Sequence, residues 1–273
     1  MIPLVAAAGL GLLATMSCAW LFQRRVGNVG WVDVFWTFGT GAAAVILSLF
    51  PLEAAPTPRQ WLVAALAAVW SLRLGSYVAL RVAAAPEEDR RYADLRTQWG
   101  AAFQRRLLPF VLLQAPVALL LGLAVMLAAR DPRPRLGPQD ALGVLVLVAA
   151  IAGEALADEQ MRRFKASGPA RGAINDGGLW AWSRHPNYFF EWFGWLAYPI
   201  IASGPVISSD ARGVYWMGWA AWGAPVLMYL VLDRGTGVPP LEAQMLKSRG
   251  DAFRAYQSRT SRFFPWPPRP PSA

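Results

Sequence analysis

Asn175 to Glu191 reads N-D-G-G-L-W-A-W-S-R-H-P-N-Y-F-F-E and holds the single histidine of the chain, His185. An arginine, an asparagine, a tyrosine and a glutamate crowd round it at the mouth of an apolar, tryptophan-rich segment. Burying such groups unpaired costs roughly 2–7 kcal/mol each, so they need partners or a ligand. Pro186 suits the first turn of a helix, and Ser183 stands where a cap just outside it would. The free amides of that helix start, with Arg184 and His185, are a donor set for an anionic group such as a phosphate. Asn187 and Glu191 add an edge able to hydrogen-bond an amide or ribose hydroxyls. The same residues also fit a membrane-interface turn with a snorkelling arginine and a surface histidine. Chemistry alone leaves both readings open.

Other ionisable residues fall inside apolar stretches, where they are costly and by default candidates for function. Asp33 opens one such stretch, in V-G-N-V-G-W-V-D-V-F-W. Arg73, Tyr77 and Arg81 recur every four residues and share one helix face. Glu154, Asp158, Arg162 and Lys165 form a similar stripe. Mutual neutralisation (Asp33 with Arg73, Asp158 with Arg162, Glu191 with Arg184) would fix helix order and nothing more. A polar cavity between spans, open to the cytoplasm, accounts better for four helices pointing charge at one level. With one cysteine, Cys18, and one histidine, neither a disulfide framework nor a His/Cys metal site is expected. Two G-x-G-x-x-A matches, Gly9–Ala14 and Gly39–Ala44, lie inside apolar spans with no strand before them. They read as small-residue helix packing rather than a dinucleotide fingerprint.

The elements that must position these groups follow from composition. The 273 residues are 55% hydrophobic and only 16% charged, and mean hydropathy is positive. Soluble domains carry about 25% charged residues, so an integral membrane protein is expected. Seven apolar segments approach the ~20 residues needed to cross a bilayer: about 3–22, 31–51, 60–81, 107–129, 139–160, 186–203 and 213–232. The first lacks a basic leader and a cleavage site, and reads as an anchor helix. Twenty of the 26 lysines and arginines fall in alternate loops and the tail, and five in the opposite loops. That bias implies an outside N-terminus and a cytoplasmic C-terminus. The net charge of +9 then serves topology and lipid headgroups, and no nucleic-acid signature accompanies it. Beyond the last span, residues 235–266 read as a turn, a basic amphipathic helix and an interfacial aromatic end. The expected fold is all-α: a single membrane domain, a seven-helix bundle with cytoplasmic loops and a C-terminal amphipathic helix.

Three stretches taken together carry a resemblance: S-R-H-P-N-Y-F-F-E, the trailing G-V-P-P-L-E…Y-Q-S-R-T-S-R-F-F-P, and the upstream R-L-G-S-Y-V-A-L-R…E-D-R-R-Y-A-D-L-R. They resemble a bacterial family of uncharacterised membrane proteins related to the steroid 5-alpha-reductases and, more distantly, the sterol reductases. The shorter R-H-P-x-Y is shared with isoprenylcysteine carboxyl methyltransferases. The resemblance implies a multi-pass protein of the bacterial inner membrane. It would hold NADPH in a cytoplasm-facing cavity and reduce a carbon–carbon double bond conjugated to a carbonyl.

The resemblance matches Asp158 to a cofactor-contacting aspartate and Asn187, Tyr188 and Glu191 to the N-Y-x-x-E that holds the nicotinamide end. Lys165 stands where the steroid enzymes have arginine. Glu242, Lys247 and Tyr256 match the E…K…Y spacing of the sterol-reductase tail. Arg73 and Arg81 fall in a third-helix region that supplies further contacts. The cationic loops, with Arg162, Arg184 and His185, favour the extra phosphate of NADPH over NADH. On the substrate side the chain departs from the steroid enzymes, which polarise the ketone with a glutamine–glutamate pair and a tyrosine. Here the second helix offers only Asp33, and Trp70 replaces the tyrosine. The expected acid is Asp33 kept protonated by desolvation, or Tyr77, against a hydrophobic small-molecule substrate. The rivals are an S-adenosylmethionine-dependent methyltransferase acting on a lipid-like acceptor, and a non-enzymatic membrane protein or transporter.

Overall fold

The computed structural model describes all residues except 53, 54, 86, 87, 89, 171, 204, 208–211 and 270–273. Arg171 of the basic loops and the end of the proline tail therefore lie outside the described residues. In chain order the helices are α1 (Ile2–Val26), α2 (Trp31–Leu49), α3 (Pro58–Ala84), α4 (Arg90–Trp99), α5 (Phe103–Leu112), α6 (Gln114–Ala129), α7 (Pro138–Ala166), α8 (Leu179–Trp182), α9 (Pro186–Gly194), α10 (Ala197–Ala202), α11 (Gly223–Tyr229) and α12 (Val238–Arg259). Among the described residues the strands are a three-residue antiparallel ribbon, β1 (Pro205–Ile207) with β2 (Arg212–Val214), in which Val206 faces Gly213.

Among the described residues five helices are long and apolar enough to cross a membrane: Ile2–Val26, Trp31–Leu49, Pro58–Ala84, Tyr92–Ala129 and Pro138–Ala166. They coincide with the first five expected spans. The sixth and seventh expected segments differ: each is broken into short pieces. Pro199 cannot donate to the carbonyl of Trp195, and the chain interrupts between α9 and α10 there. Pro225 likewise cannot bond Ala221, so a 3-10 stretch, Trp216–Trp222, precedes α11, and a π-turn over Leu230–Arg234 follows it.

The chain divides into two compact units, Met1–Gly143 with Tyr198–Ala224, and Val144–Ala197 with Pro225–Ala273. The first is built from long helices. α1 ends at Gly27, whose left-handed φ of 73° lets its N–H bond Gln23, a geometry that favours glycine. α3 starts with a capping box: Thr57 accepts from the Gln60 amide, and the Gln60 side chain accepts from Thr57. Small residues then bring α2 and α3 together. A Cβ on Gly41 would lie 2.1 Å from the Ser71 hydroxyl, and one on Gly75 would lie 2.7 Å from the Phe38 ring. The expected packing role of Gly39 also holds, since Thr15 lies 3.0 Å from its Cβ position, whereas Gly11 faces open space. Leu12, Met16, Val32, Leu107, Val111 and Ala118 fill the core between α1, α2, α5 and α6.

At one end of this unit Arg59 is buried rather than loop-exposed. It forks onto Asp140 at 2.8 and 3.0 Å and donates to the carbonyls of Asp131, Arg133 and Arg135. Arg133 closes the knot on Asp131 at 2.9 Å. A buried guanidinium is tolerated only when its donors are used in this way.

In the second unit α7 and α9 meet through glycine. A Cβ on Gly153 would strike the Phe190 ring at 2.3 Å, and one on Gly194 would press on Leu147 and Ala150 at 3.3 Å. α12 is broken at Gly250, whose φ of 50° and ψ of −120° are non-helical.

Candidate functional site

The Asn175–Glu191 stretch becomes a buried polar node in the second unit. Gly178, at φ 59°, turns the chain into α8. There the Leu179 amide donates to the Gln160 side chain, and the Trp180 indole donates to the Ala157 carbonyl. Ser183 is extended and does not cap α9; the N-cap position is His185, and no side chain caps it. The Ser183 hydroxyl donates to the Phe263 carbonyl at 2.8 Å and accepts from the His185 amide at 3.1 Å. The tail claims this serine because Phe263 is anchored in an aromatic cluster with Phe189, Trp192 and Tyr229. Pro186 does occupy the first turn of α9, as expected.

Arg184 is 9% exposed and all three of its guanidinium nitrogens donate. It donates to both oxygens of Glu242 (2.8 and 3.3 Å), to the Thr260 carbonyl at 2.6 Å and to the Gln257 carbonyl at 3.3 Å. Its partner is thus Glu242, 58 residues away, and not Glu191. His185 Nε2 meets the same Glu242 oxygen at 3.0 Å, and the imidazole stacks on Tyr188 with centroids 5.8 Å apart. Gln257 donates to the other Glu242 oxygen at 3.0 Å. Tyr256, the buried residue just before it, donates to the Trp180 carbonyl at 2.5 Å.

The protonation states follow. Burial pushes the His185 imidazole below its ordinary 6.5, against the pull of the Glu242 hydrogen bond. Burial alone would raise the Glu242 carboxyl, but hydrogen bonds from His185 and Arg184 and the Arg184 charge outweigh it and hold the group at about 2. Near neutrality a neutral His185 therefore donates Nε2–H to an ionised Glu242, and Arg184 is the compensating cation. Burial raises the Tyr256 phenol, keeping it a neutral donor. A second clasp lies on the same tail: buried Asp233 pairs with Arg262 and Arg234, each at 3.0 Å.

The remaining expected residues divide between the units. In the second, Asp158 and Glu191 are buried, and Glu191 accepts from the Trp195 indole at 2.9 Å. Asn187 and Tyr188 are partly exposed, and the Asn187 side chain accepts from the Tyr188 amide. Arg162, Lys165 and Lys247 are exposed; Arg162 pairs with Glu159 rather than Asp158. In the first unit Arg73 and Arg81 flank the Tyr77 ring, 5.5 and 5.8 Å from its centroid, as three residues on one face require. Asp33 accepts a hydrogen bond from the buried Tyr92 hydroxyl at 3.1 Å. Nearby Glu88 accepts from the Val29 amide and from Arg96, fastening the α3–α4 connection to the start of α2.

Sequence reasoning missed Tyr92, Gln257, and the Asp233–Arg262 pair. Tyr92 sits in the arginine-rich R-R-Y-A-D-L-R, which reads as loop. Only the Y itself, an aromatic among charges, hints that something there is buried. Gln257 lies 15 residues beyond Glu242 across a helix break, where no helical spacing would link them.

Helical architecture, apolar helices of membrane-crossing length and a buried arginine–histidine–glutamate node define this as a membrane-type helical protein with a polar site near its C-terminus. The chain belongs to the family described as a protein of unknown function (DUF1295), whose model matches residues 19–260. No curated protein and no solved structure matches it.

Proposed function

We propose that the chain is a membrane-embedded, NADPH-dependent reductase of a carbon–carbon double bond conjugated to a carbonyl in a steroid-like or other lipid substrate. The observation that carries this reading is the Arg184–His185–Glu242 node. It joins the two stretches, S-R-H-P-N-Y-F-F-E and the G-V-P-P-L-E tail, on which the resemblance to the steroid 5-alpha-reductases rests. The node fixes the start of α9, so Asn187, Tyr188 and Glu191 are presented by a preorganised turn. With Asp158, Lys165, Lys247 and the exposed Arg162 they form the cofactor half of the proposal, with Arg73 and Arg81 as further contacts. NADPH when bound supplies the hydride. Asp33 and Tyr77 remain the proposed carbonyl acids, and Tyr92 holds the Asp33 carboxyl by its hydroxyl. The broken sixth and seventh segments complete seven crossings in this proposal, with the C-terminus cytoplasmic in a bacterial inner membrane.

The test is nucleotide binding to the detergent-purified protein, read by titration of NADPH, NADH and S-adenosylmethionine. Saturable NADPH binding that is weaker for NADH and weakened by Glu191→Gln is expected. Binding of S-adenosylmethionine alone would transfer the protein to the methyltransferase reading. Binding of none of the three ends both enzyme readings.

A further inference from the structure

The C-terminal tail carries an exposed aromatic surface that the cofactor reading does not use. Trp182 is 47% exposed, Phe264 47% and Trp266 70%. The three are held together: the Trp266 amide donates to the Trp182 carbonyl at 2.9 Å, and Phe264 packs edge-on against Trp192 with centroids 5.2 Å apart and stacks on Tyr229 at 5.8 Å. Trp192 and Tyr229 lie in the sixth and seventh apolar segments, so the aromatic surface stands where greasy chain gives way to charged chain.

The charges beside it are mostly positive. Residues 233–269 hold seven lysines and arginines against three carboxylates. Two of those carboxylates are internally consumed, Asp233 by Arg234 and Arg262, and Glu242 by Arg184. Arg234 and Arg269 remain on the surface. Exposed tryptophan rings favour the headgroup level of a bilayer, where an apolar ring and a polar N–H are both satisfied. Cations beside them favour anionic headgroups.

We infer that Trp182, Phe264 and Trp266, flanked by Arg234, Arg262 and Arg269, form a headgroup-level anchor for anionic phospholipid. The partner is the leaflet of the bilayer that the chain's own apolar helices occupy. Because the same tail closes the Arg184–Glu242 node, lipid charge would act on the ordering of that node.

The test uses the full chain in bilayers with no nucleotide added, so failure of the cofactor reading leaves its outcome unaffected. Cys18, the single cysteine, is removed as Cys18→Ser, and a nitroxide is attached at Trp266→Cys or Trp182→Cys, both exposed positions. Immersion is read by collision with oxygen and with a water-soluble nickel chelate. Asp251→Cys, whose native side chain is 96% exposed, marks water. Leu145→Cys, at an exposed apolar position of α7, marks lipid. In anionic bilayers both tail labels are expected between the two markers. They should move toward the water marker in zwitterionic bilayers, and in the Arg234→Gln, Arg269→Gln variant by about fivefold in the immersion equilibrium per arginine removed. Tail labels that match position 251 in both bilayers overturn the inference. So does immersion indifferent to lipid charge.

Discussion

The two units of this protein are held by different forces. The first relies on long apolar helices that approach through Gly41 and Gly75, with the buried Arg59 guanidinium at the start of α3. The second has one long apolar helix, α7, the kinked polar α12 and otherwise short pieces, held by Arg184–Glu242–His185, Tyr256 and Asp233–Arg262. Long helices satisfy their own backbones and need only shape to pack. Broken ones leave amides and carbonyls that only specific polar partners can satisfy. The second unit also carries Asp158, Asn187, Tyr188 and Glu191 of the proposed cofactor half, where preorganisation would matter, whereas the proposed carbonyl acids Asp33 and Tyr77 lie in the first.

The largest expected effect is from breaking the node. Arg184→Ala removes the compensating cation of the largely buried Glu242 carboxylate and leaves it only His185 and Gln257 as donors, and loss of one partner of a buried pair costs up to about 3–5 kcal/mol. Hydrogen exchange should accelerate across residues 238–266 while 31–84 keep their protection. Arg59→Ala should do the reverse. Equal acceleration in both regions for either variant would erase the distinction between the units.

Acid should reach the second unit through the same node. Glu242 sits at about 2 in the folded chain against an ordinary 4.5, so between those values the unfolded chain binds the extra proton. The Glu242 contribution is complete above about pH 4.5 and is lost as pH falls toward 2, by roughly 3 kcal/mol. His185, depressed by burial, acts in the same direction and begins below 6.5. A titration of exchange in 238–266 should show this loss, and Glu242→Gln should flatten its lower part.

Overpacking probes the first unit. Gly41→Leu places atoms where Ser71 already lies and should cost about 1–3 kcal/mol. Its exchange signature belongs in 31–84 alone. A response of 238–266 of equal size would mean the units share one cooperative core.

The smallest effect on stability is expected from Tyr92→Phe, which removes one hydrogen bond to Asp33 worth about 1 kcal/mol. Its value lies in activity. If Asp33 acts on the substrate carbonyl, turnover should fall by about 10²-fold, the scale of a lost acid-catalytic contribution, with NADPH affinity unchanged. Unchanged turnover would leave Tyr92 a fastener of α4 to α2.

The sequence by itself determined the first five spans, because an uninterrupted apolar run of about 20 residues has few alternatives to a helix in lipid. It determined that Arg73, Tyr77 and Arg81 share a face, that Pro186 starts a helix, and that Ser183–Glu191 is chemically dense. It also set the family stretches, which the match over residues 19–260 covers up to Thr260. Local spacing encodes all of these. Only the tertiary structure decided what the dense stretch touches. Arg184 chose Glu242 over the nearer Glu191, Ser183 bonded the tail instead of capping α9, and Asp33 found Tyr92 from 59 residues away. Prolines broke the sixth and seventh segments into pieces whose polar groups had to be met from elsewhere. Pairing across such separations is chosen by which partners the packed helices leave within hydrogen-bonding reach, and periodicity along the chain carries no record of that.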